Sequence, residues 1–321
     1  MEKSEKRTLG GYLWLYVVGV IVGAADVIPG VSGGTMALVL GIYEELLDSI
    51  RRFASGRTVK MLASFKLKEA YRTLPWPFMA VLLLGIASAS VLLAKPLTWM
   101  LTHRVSFILA FFFGLVLASI ITVLMRIPKF SWRLIPGFVF GAAVGWLIVG
   151  MKMIQSPPEA WWYLVLCGAV AICAMILPGI SGSFILLLMG RYVTVMAAIK
   201  NIFHRDAFLA SLQTLALFTV GVVLGVASFS RLLSWMFKRW RDLTIVVLAG
   251  FMLGSLRKIW PWQDGDILKG RTVNALPRID GGFWIAVLLA VAGFVLVMAI
   301  ELLARRFERR AASKQSEGTV C

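Results

Sequence analysis

A short motif rich in proline, glycine and serine occurs twice in apolar sequence, and its residue types suit the binding of an anion. The first copy is residues 26–35, Asp-Val-Ile-Pro-Gly-Val-Ser-Gly-Gly-Thr, and the second is residues 176–183, Ile-Leu-Pro-Gly-Ile-Ser-Gly-Ser. From Pro29 to Pro178 the offset is 149 residues, and a glycine, a serine, a second glycine, a later glycine and a tyrosine repeat at that offset. Proline and glycine interrupt helices, and serine favours the position before a helix begins. Each copy therefore predicts a break followed by a new helix start.

The first turn of a helix carries backbone N–H groups without partners and about half a positive charge, which together attract anions. The predicted contacts for a phosphate group are Gly30, Ser32, Gly33, Gly34, Thr35, Gly179, Ser181, Gly182 and Ser183. Within this set, Ser32 and Ser181 are the predicted N-caps. The alternative interpretation is that these small residues only let helices pack closely.

Four ionisable residues lie near the motif copies, where a charge inside a membrane is costly and often functional. Arg191 follows the second copy, and its guanidinium fork suits phosphate oxygens, so it is a predicted phosphate contact. Asp26 can exchange a proton, pair with an arginine or cap local backbone. Glu44 and Glu45 are candidates for proton coupling, or they mark the membrane surface.

The inventory of reactive side chains argues against an enzyme. The chain has only two histidines, His103 and His204, and its three cysteines follow no metal-binding spacing. The serines of the motif have no evident base partner. We therefore predict no catalytic residue, no metal site and no cofactor, and no motif indicates nucleic-acid binding.

The elements that carry the motif are membrane helices. The chain has 321 residues, of which 60% are hydrophobic and only 15% charged, whereas soluble domains have about 25% charged residues. Apolar runs are predicted at 12–28, 31–47, 78–94, 105–125, 134–150, 161–177, 181–199, 208–229, 243–256 and 282–303. The uncharged stretch behind each motif copy is shorter than the about 20 residues that cross a bilayer, which predicts half-helices.

Two similar halves organise these runs. Beyond the motif, Gly85 corresponds to Gly225, and Gly114 corresponds to Gly250. An odd number of crossings per half inverts the second half relative to the first. We predict an all-α integral membrane protein of two inverted repeats, each with a broken or re-entrant helical hairpin and about three transmembrane helices. The predicted boundaries are 1–155 and 156–304 for the repeats and 305–321 for a basic cytoplasmic tail.

The distribution of basic residues predicts the orientation. With the amino terminus in the cytoplasm, the inner segments hold 22 of the 33 Lys and Arg residues. These segments are residues 3–7, 51–72, 126–133, 231–241 and 305–314. Cytoplasmic loops are usually the more basic ones, so both termini are predicted on the cytoplasmic side.

The doubled motif resembles the PopT family of bacterial polyprenyl-phosphate transporters, and the likeness covers nearly the whole chain. The resemblance implies a multi-pass protein of the bacterial cytoplasmic membrane that moves undecaprenyl phosphate from the outer to the inner leaflet, so that this lipid carrier of cell-envelope and peptidoglycan synthesis is recycled. Its implied partners are undecaprenyl phosphate and membrane lipids, and the sequence does not identify protein partners. From the residues alone, a transporter or channel for small inorganic anions stays an alternative.

Overall fold

The computed structural model describes residues 7–27, 33–53, 73–128, 131–266 and 271–317, together with residues 55, 58, 61 and 64. The first half contains α1 (Leu9–Val27), α2 (Gly33–Val39), α3 (Tyr43–Phe53), α4 (Trp76–His103), α5 (Val105–Leu124) and α6 (Ile135–Gly150). The second half contains α7 (Trp161–Ile176), α8 (Gly182–Leu188), α9 (Tyr192–Asn201), α10 (Phe208–Arg239), α11 (Arg241–Ser255) and α12 (Gly281–Glu317). Short 3-10 turns cover Trp132–Leu134, Arg205–Ala207 and Leu256–Ile259.

A small hairpin departs from the predicted all-α fold. Strands β1 (Gln263–Asp266) and β2 (Arg271–Asn274) pair antiparallel, with Gln263 opposite Asn274. The segment is polar and lacks the alternation of apolar and polar residues that predicts a strand, so the sequence does not predict this hairpin. The rest of the described regular structure is helical, so the prediction of a helical membrane protein otherwise agrees with the fold.

Six helical segments in the described part of the chain are long and apolar enough to cross a membrane: Leu9–Asp26, Trp76–Leu93, Val105–Leu124, Trp132–Gly150, Phe208–Arg239 and Gly281–Leu302. Large apolar side chains remain exposed around these helices, including Leu84, Val91 and Leu288. Such exposure is unfavourable in water and ordinary in lipid. The chain is therefore a multi-pass membrane protein.

Eight of the described helices pack in four close pairs. When the helices of the first half are matched in order to those of the second, each pair corresponds to another of the four. Helix α1 packs on α4 and α7 on α10, while α5 packs on α12 and α6 on α11. Matched glycines permit the first two contacts: a Cβ on Gly85 would lie 2.5 Å from the Tyr16 carbonyl oxygen, and one on Gly225 would lie 2.6 Å from that of Ala169. Small residues at such positions let membrane helices approach closely.

The core lies where the short helices α2 and α3 meet α5 and α11. Ala37, Tyr43, Leu109 and Met252 are all at least 98% buried there. The α5–α12 and α6–α11 pairs each join one half to the other, so this core is built jointly by both halves. The first motif copy leads into α2 in this core, and Ile176, which begins the second copy, also belongs to it.

Candidate functional site

The second motif copy forms the break between α7 and α8. Gly179 has φ of +103°, a left-handed value that favours glycine, and a Cβ there would lie 2.7 Å from the Ser255 Oγ. Pro178, Gly179 and Ile180 are buried against α11. In the first copy, the predicted contacts Gly30 and Ser32 lie outside the described residues, so the N-cap role of Ser32 stays a prediction.

The short helices α2 and α8 end in the same way, which extends the motif repeat into three dimensions. Gly41 and Gly190, which are 149 residues apart, have φ of +77° and +70°. The following amide donates back to the turn in each case, from Ile42 to the Ala37 carbonyl at 3.0 Å and from Arg191 to the Leu186 carbonyl at 3.2 Å. Left-handed glycine after the last helical turn is a common helix stop. The two glycines that repeat at the offset of 149 residues thus end both half-helices.

The first turn of α2 is occupied by a carboxylate from the same chain. The Asp26 Oδ1 accepts a hydrogen bond from the Gly33 amide at 2.7 Å. A Cβ on Gly33 would lie 2.6 Å from Asp26 Oδ2, so glycine is required for this close approach. Of the three roles open to Asp26 from sequence, the structure shows backbone capping. Thr35 in the same turn is fully buried, and its hydroxyl has no hydrogen-bond partner among the described residues.

The first turn of α8 has no such carboxylate. Ser181 occupies the predicted N-cap position with extended backbone (φ −89°, ψ 137°), but its hydroxyl does not accept from the helix. It lies 2.6 Å from the Ser183 hydroxyl instead. The residue corresponding to Asp26 is Met175, whose Cβ would lie 3.3 Å from a Cβ on Gly182. The amides of this turn therefore have no side-chain cap, and two hydroxyls lie beside them.

Lys258 is a cation near this turn that the motif did not reveal. Its Nζ lies 4.7 Å from the ring centroid of Phe184, which is in the first turn of α8. Burial lowers the pKa of the Lys258 ammonium from its ordinary value. No carboxylate in the described part of the chain forms an ion pair with it. Arg257 and Lys258 are adjacent basic residues in a segment predicted outside the cytoplasm, which is contrary to the usual charge bias. This departure is the sequence signal that could have indicated Lys258.

Arg191 lies at the other end of α8. Its Nη2 donates to the Pro158 carbonyl, and its Nε is buried without an acceptor among the described residues. The seven residues of α8 span about 10 Å. The structure therefore does not bring the Arg191 backbone to the predicted contacts Gly182 and Ser183, whereas Lys258 lies beside the same turn.

The remaining acidic candidates are in ion pairs near the amino-terminal end of α1. Glu44 pairs with Arg241 at 2.9 Å, and Glu45 pairs with Arg7. Glu44 and Glu45 are both exposed. Exposed pairs of this kind contribute little to stability, about 0–1 kcal/mol.

One buried hydrogen bond joins the two motif regions. The Tyr43 hydroxyl donates to the Ile176 carbonyl at 2.9 Å, which connects the tyrosine after the first motif to the residue that begins the second. Tyr43 is 2% exposed and its ring packs on Phe237 at a centroid distance of 5.9 Å. The described residues contain no group of three or more His, Cys, Asp or Glu side chains that could hold a metal ion.

Comparison with known proteins gives a family for this chain. The model of the VCA0040-like family, described as undecaprenyl phosphate translocase-like, matches residues 22–276. A polyprenyl-phosphate transporter of Vibrio cholerae serotype O1 is 42% identical over 254 residues, which are 79% of each chain. A polyprenyl-phosphate transporter of Staphylococcus aureus is 27% identical over 80% of this chain and 89% of its own length.

No solved structure matches the chain significantly. The names of the family and of the relatives are those of transporters and not of enzymes. The matched region includes both motif copies, both half-helices and Lys258. The chain belongs to the VCA0040-like family of undecaprenyl phosphate translocase-like proteins.

Proposed function

We propose that this protein moves undecaprenyl phosphate from the outer to the inner leaflet of the bacterial cytoplasmic membrane and so returns the lipid carrier for reuse. The names of the relatives support polyprenyl phosphate as the substrate class. The direction and the recycling role are proposals that the family resemblance suggests. A phosphate monoester cannot cross hydrocarbon unaided because its charge would lose its water.

The observation that carries the proposal is the contrast between the two half-helix starts. At α2 the Asp26 carboxylate already occupies the first turn, while at α8 the first turn is uncapped and Lys258 lies against Phe184. An arriving phosphate can replace its water with the amides of Gly182 and Ser183, the hydroxyls of Ser181 and Ser183, and the Lys258 ammonium. The second motif is therefore the proposed phosphate site.

The remaining predicted contacts keep more distant roles in this proposal. Gly33, Gly34 and Thr35 form a second, equivalent start that becomes available to an anion when Asp26 leaves it. Protonation of Asp26 would release that turn and couple transport to a proton gradient. Arg191 is a proposed contact for the phosphate at the far end of α8, and Glu44 and Glu45 are alternative sites of proton uptake.

An apolar cleft favours a lipid substrate over a small inorganic anion. A cavity of about 320 Å³ lies between α5 and α12. Its lining includes Trp260, which is two residues after Lys258 in the chain. Trp260, Trp262, Phe113 and Phe294 are among the lining residues, and the lining is almost entirely apolar. A prenyl chain can remain in such a cleft while its phosphate contacts Lys258, whereas an inorganic anion has no apolar group to occupy the cleft.

We infer further that the halves are inverted repeats, with residues 1–155 and 156–304 as the repeats, residues 305–321 as a cytoplasmic tail, and both termini inside. Three observations support this arrangement: the exchangeable helix pairs, the equal ends of α2 and α8, and the bend of 112° between α8 and α9. A re-entrant hairpin in each half would present the two motif copies to one central site, as in other repeat-built transporters.

Transport of undecaprenyl phosphate in reconstituted vesicles tests the proposal. Leaflet-resolved measurement should give a faster loss from the outer leaflet with the wild type than in protein-free vesicles. Lys258→Gln should slow it about tenfold, because a charge-assisted contact is worth about 1.5 kcal/mol or more. Arg257→Gln is the matched control, since the Arg257 guanidinium lies over Trp146 at 4.6 Å.

Equal rates with and without protein would sink the proposal. Equal slowing by Lys258→Gln and Arg257→Gln would remove the second motif from the phosphate path. Uptake of inorganic phosphate without lipid movement would favour the small-anion transporter instead.

A further inference from the structure

A large cavity with charged lining residues lies between α3 and the carboxyl-terminal third of α10. Its volume is about 1440 Å³, and among the described residues its charged lining consists of Glu44, Asp48, Arg51, Arg52, Arg231 and Lys238. The pairs Glu44–Arg241 and Glu45–Arg7 lie at the same end of the helices. In the proposed orientation this α3–α10 cavity opens to the cytoplasm.

The charges of the α3–α10 cavity are unequally matched. Both lining carboxylates have cationic partners: Glu44 pairs with Arg241, and Asp48 lies 2.7 Å from Arg52 and 3.9 Å from Arg51. On the opposite wall, Arg231 and Lys238 form no ion pair with any described carboxylate. The cavity thus has a neutralised wall on α3 and a cationic wall on α10.

The spacing on α10 lets the two cations act together. Arg231 and Lys238 are seven residues apart, which places them on one face of the helix about 10 Å apart along its axis. Ser234 lies between them on the same wall and is 8% exposed. Two long flexible cations and a hydroxyl can converge on a single multivalent anion held between them.

Two aromatic side chains connect the α3–α10 cavity to the second motif. Phe237 lines the cavity, and its ring packs on Tyr43. The Tyr43 hydroxyl in turn holds the carbonyl of Ile176, two residues before Pro178. A phosphate leaving the second motif toward the cytoplasm therefore meets Arg231 and Lys238 once Tyr43 and Phe237 move aside.

We propose that the α3–α10 cavity is a receiving site for a phosphate monoester on the cytoplasmic side, with Arg231 and Lys238 as its direct ligands and Ser234 as an additional donor. This inference rests on the proposed function and extends it, because it gives the transported headgroup a second, electropositive station. A monoester dianion gains more from two cations than a phosphodiester monoanion does, so the site distinguishes the carrier lipid from bulk anionic phospholipid.

Binding to the full chain in lipid nanodiscs of zwitterionic lipid tests this site. The probes are farnesyl phosphate, inorganic phosphate and phosphatidylglycerol, which separate a prenyl monoester, the free ion and a diester headgroup. Each probe is titrated into the wild type and into Arg231→Gln/Lys238→Gln. The matched control is Arg133→Gln/Arg239→Gln, which removes two charges predicted on the same side of the membrane, neither of which lines the cavity or pairs with a described carboxylate.

We expect the cavity variant to bind farnesyl phosphate about tenfold or more weakly than the wild type does. Added salt should reduce this difference in affinity, because it screens the charges. The control should change it by less than about threefold. Inorganic phosphate should compete for the same site and phosphatidylglycerol should not. Equal weakening by the two variants, or full competition by phosphatidylglycerol, would overturn the proposal, since either indicates a general anionic surface.

Transport measured with the same variants separates this inference from the proposed function. If the wild type moves undecaprenyl phosphate and the cavity variant moves it at the wild-type rate with unchanged farnesyl phosphate binding, the receiving site is wrong and the transporter stands. If the wild type moves no lipid at all, the proposed function itself fails. Slower transport of undecaprenyl phosphate by the cavity variant, together with weaker binding of farnesyl phosphate, supports both.

Discussion

At the scale of single residues, the two halves differ most where they are otherwise equivalent. Asp26 caps α2 through the Gly33 amide, whereas Met175 occupies the same place in the second half. A carboxylate in this position imitates the anion that a helix start attracts. The duplicated scaffold therefore has one helix start that is capped by a carboxylate and one that has no side-chain cap.

Replacing Asp26 with Asn separates its charge from its capping role. The amide oxygen can still accept the Gly33 N–H, so we expect Asp26→Asn to fold normally. The proposed coupling needs a proton to bind and leave this side chain, so transport by the variant should no longer depend on pH. Rates in vesicles across a pH series measure the effect.

Asp206→Asn, an exposed change in the turn before α10, is the control and should keep the wild-type pH profile. A wild-type profile for Asp26→Asn as well would leave Asp26 with capping alone. In that case Asp26→Ala should still lower stability, by about 1 kcal/mol, because the α2 amide loses its acceptor.

At the scale of elements, the sequence predicted the broken helices better than their contacts. The runs 31–47 and 181–199 are each divided, into α2 with α3 and into α8 with α9. Proline, glycine and run length are local signals, so such breaks can be predicted from one chain. The approach of Lys258 to Phe184 joins residues 74 positions apart and depends on how α11 packs, which no local pattern encodes.

Two tyrosines offer a matched test of what holds the half-helices. Tyr43 donates to Ile176 across the halves, while Tyr163 donates to Met189 within the second half at 2.9 Å. Removing either hydroxyl leaves a carbonyl without its donor, so Tyr43→Phe and Tyr163→Phe should each cost about 1–2 kcal/mol of stability.

Transport should separate the two variants. Tyr43→Phe should slow it severalfold more than Tyr163→Phe, because only the Tyr43 bond positions the start of the second motif. Thermal unfolding of purified protein and lipid movement in vesicles provide the two readouts. Equal transport rates at equal stability would contradict a positioning role for Tyr43.

At the scale of the whole molecule, the halves interlock. The last helix of each half packs on the fifth helix of the other, in the pairs α5–α12 and α6–α11. Repetition of Gly114 at Gly250 indicated a duplicated helix but not its partner. A glycine face identifies a close contact and leaves open which helix makes it, so the exchange of helices between halves required the three-dimensional structure.

The orientation of the interlocked molecule can be tested with a single exposed cysteine at either end of the helices. Ser156 lies in the linker between the halves, two residues before Pro158, whose carbonyl accepts from Arg191, and Arg239 ends α10 beside the α3–α10 cavity. In a background with Cys167, Cys173 and Cys321 replaced by alanine, we expect an impermeant maleimide on intact cells to label Ser156→Cys and not Arg239→Cys. Opening the membrane should then expose Arg239→Cys, because 22 of the 33 basic residues are predicted inside. The opposite labelling would place the cavity at the outer face, where it would capture the phosphate instead of releasing it.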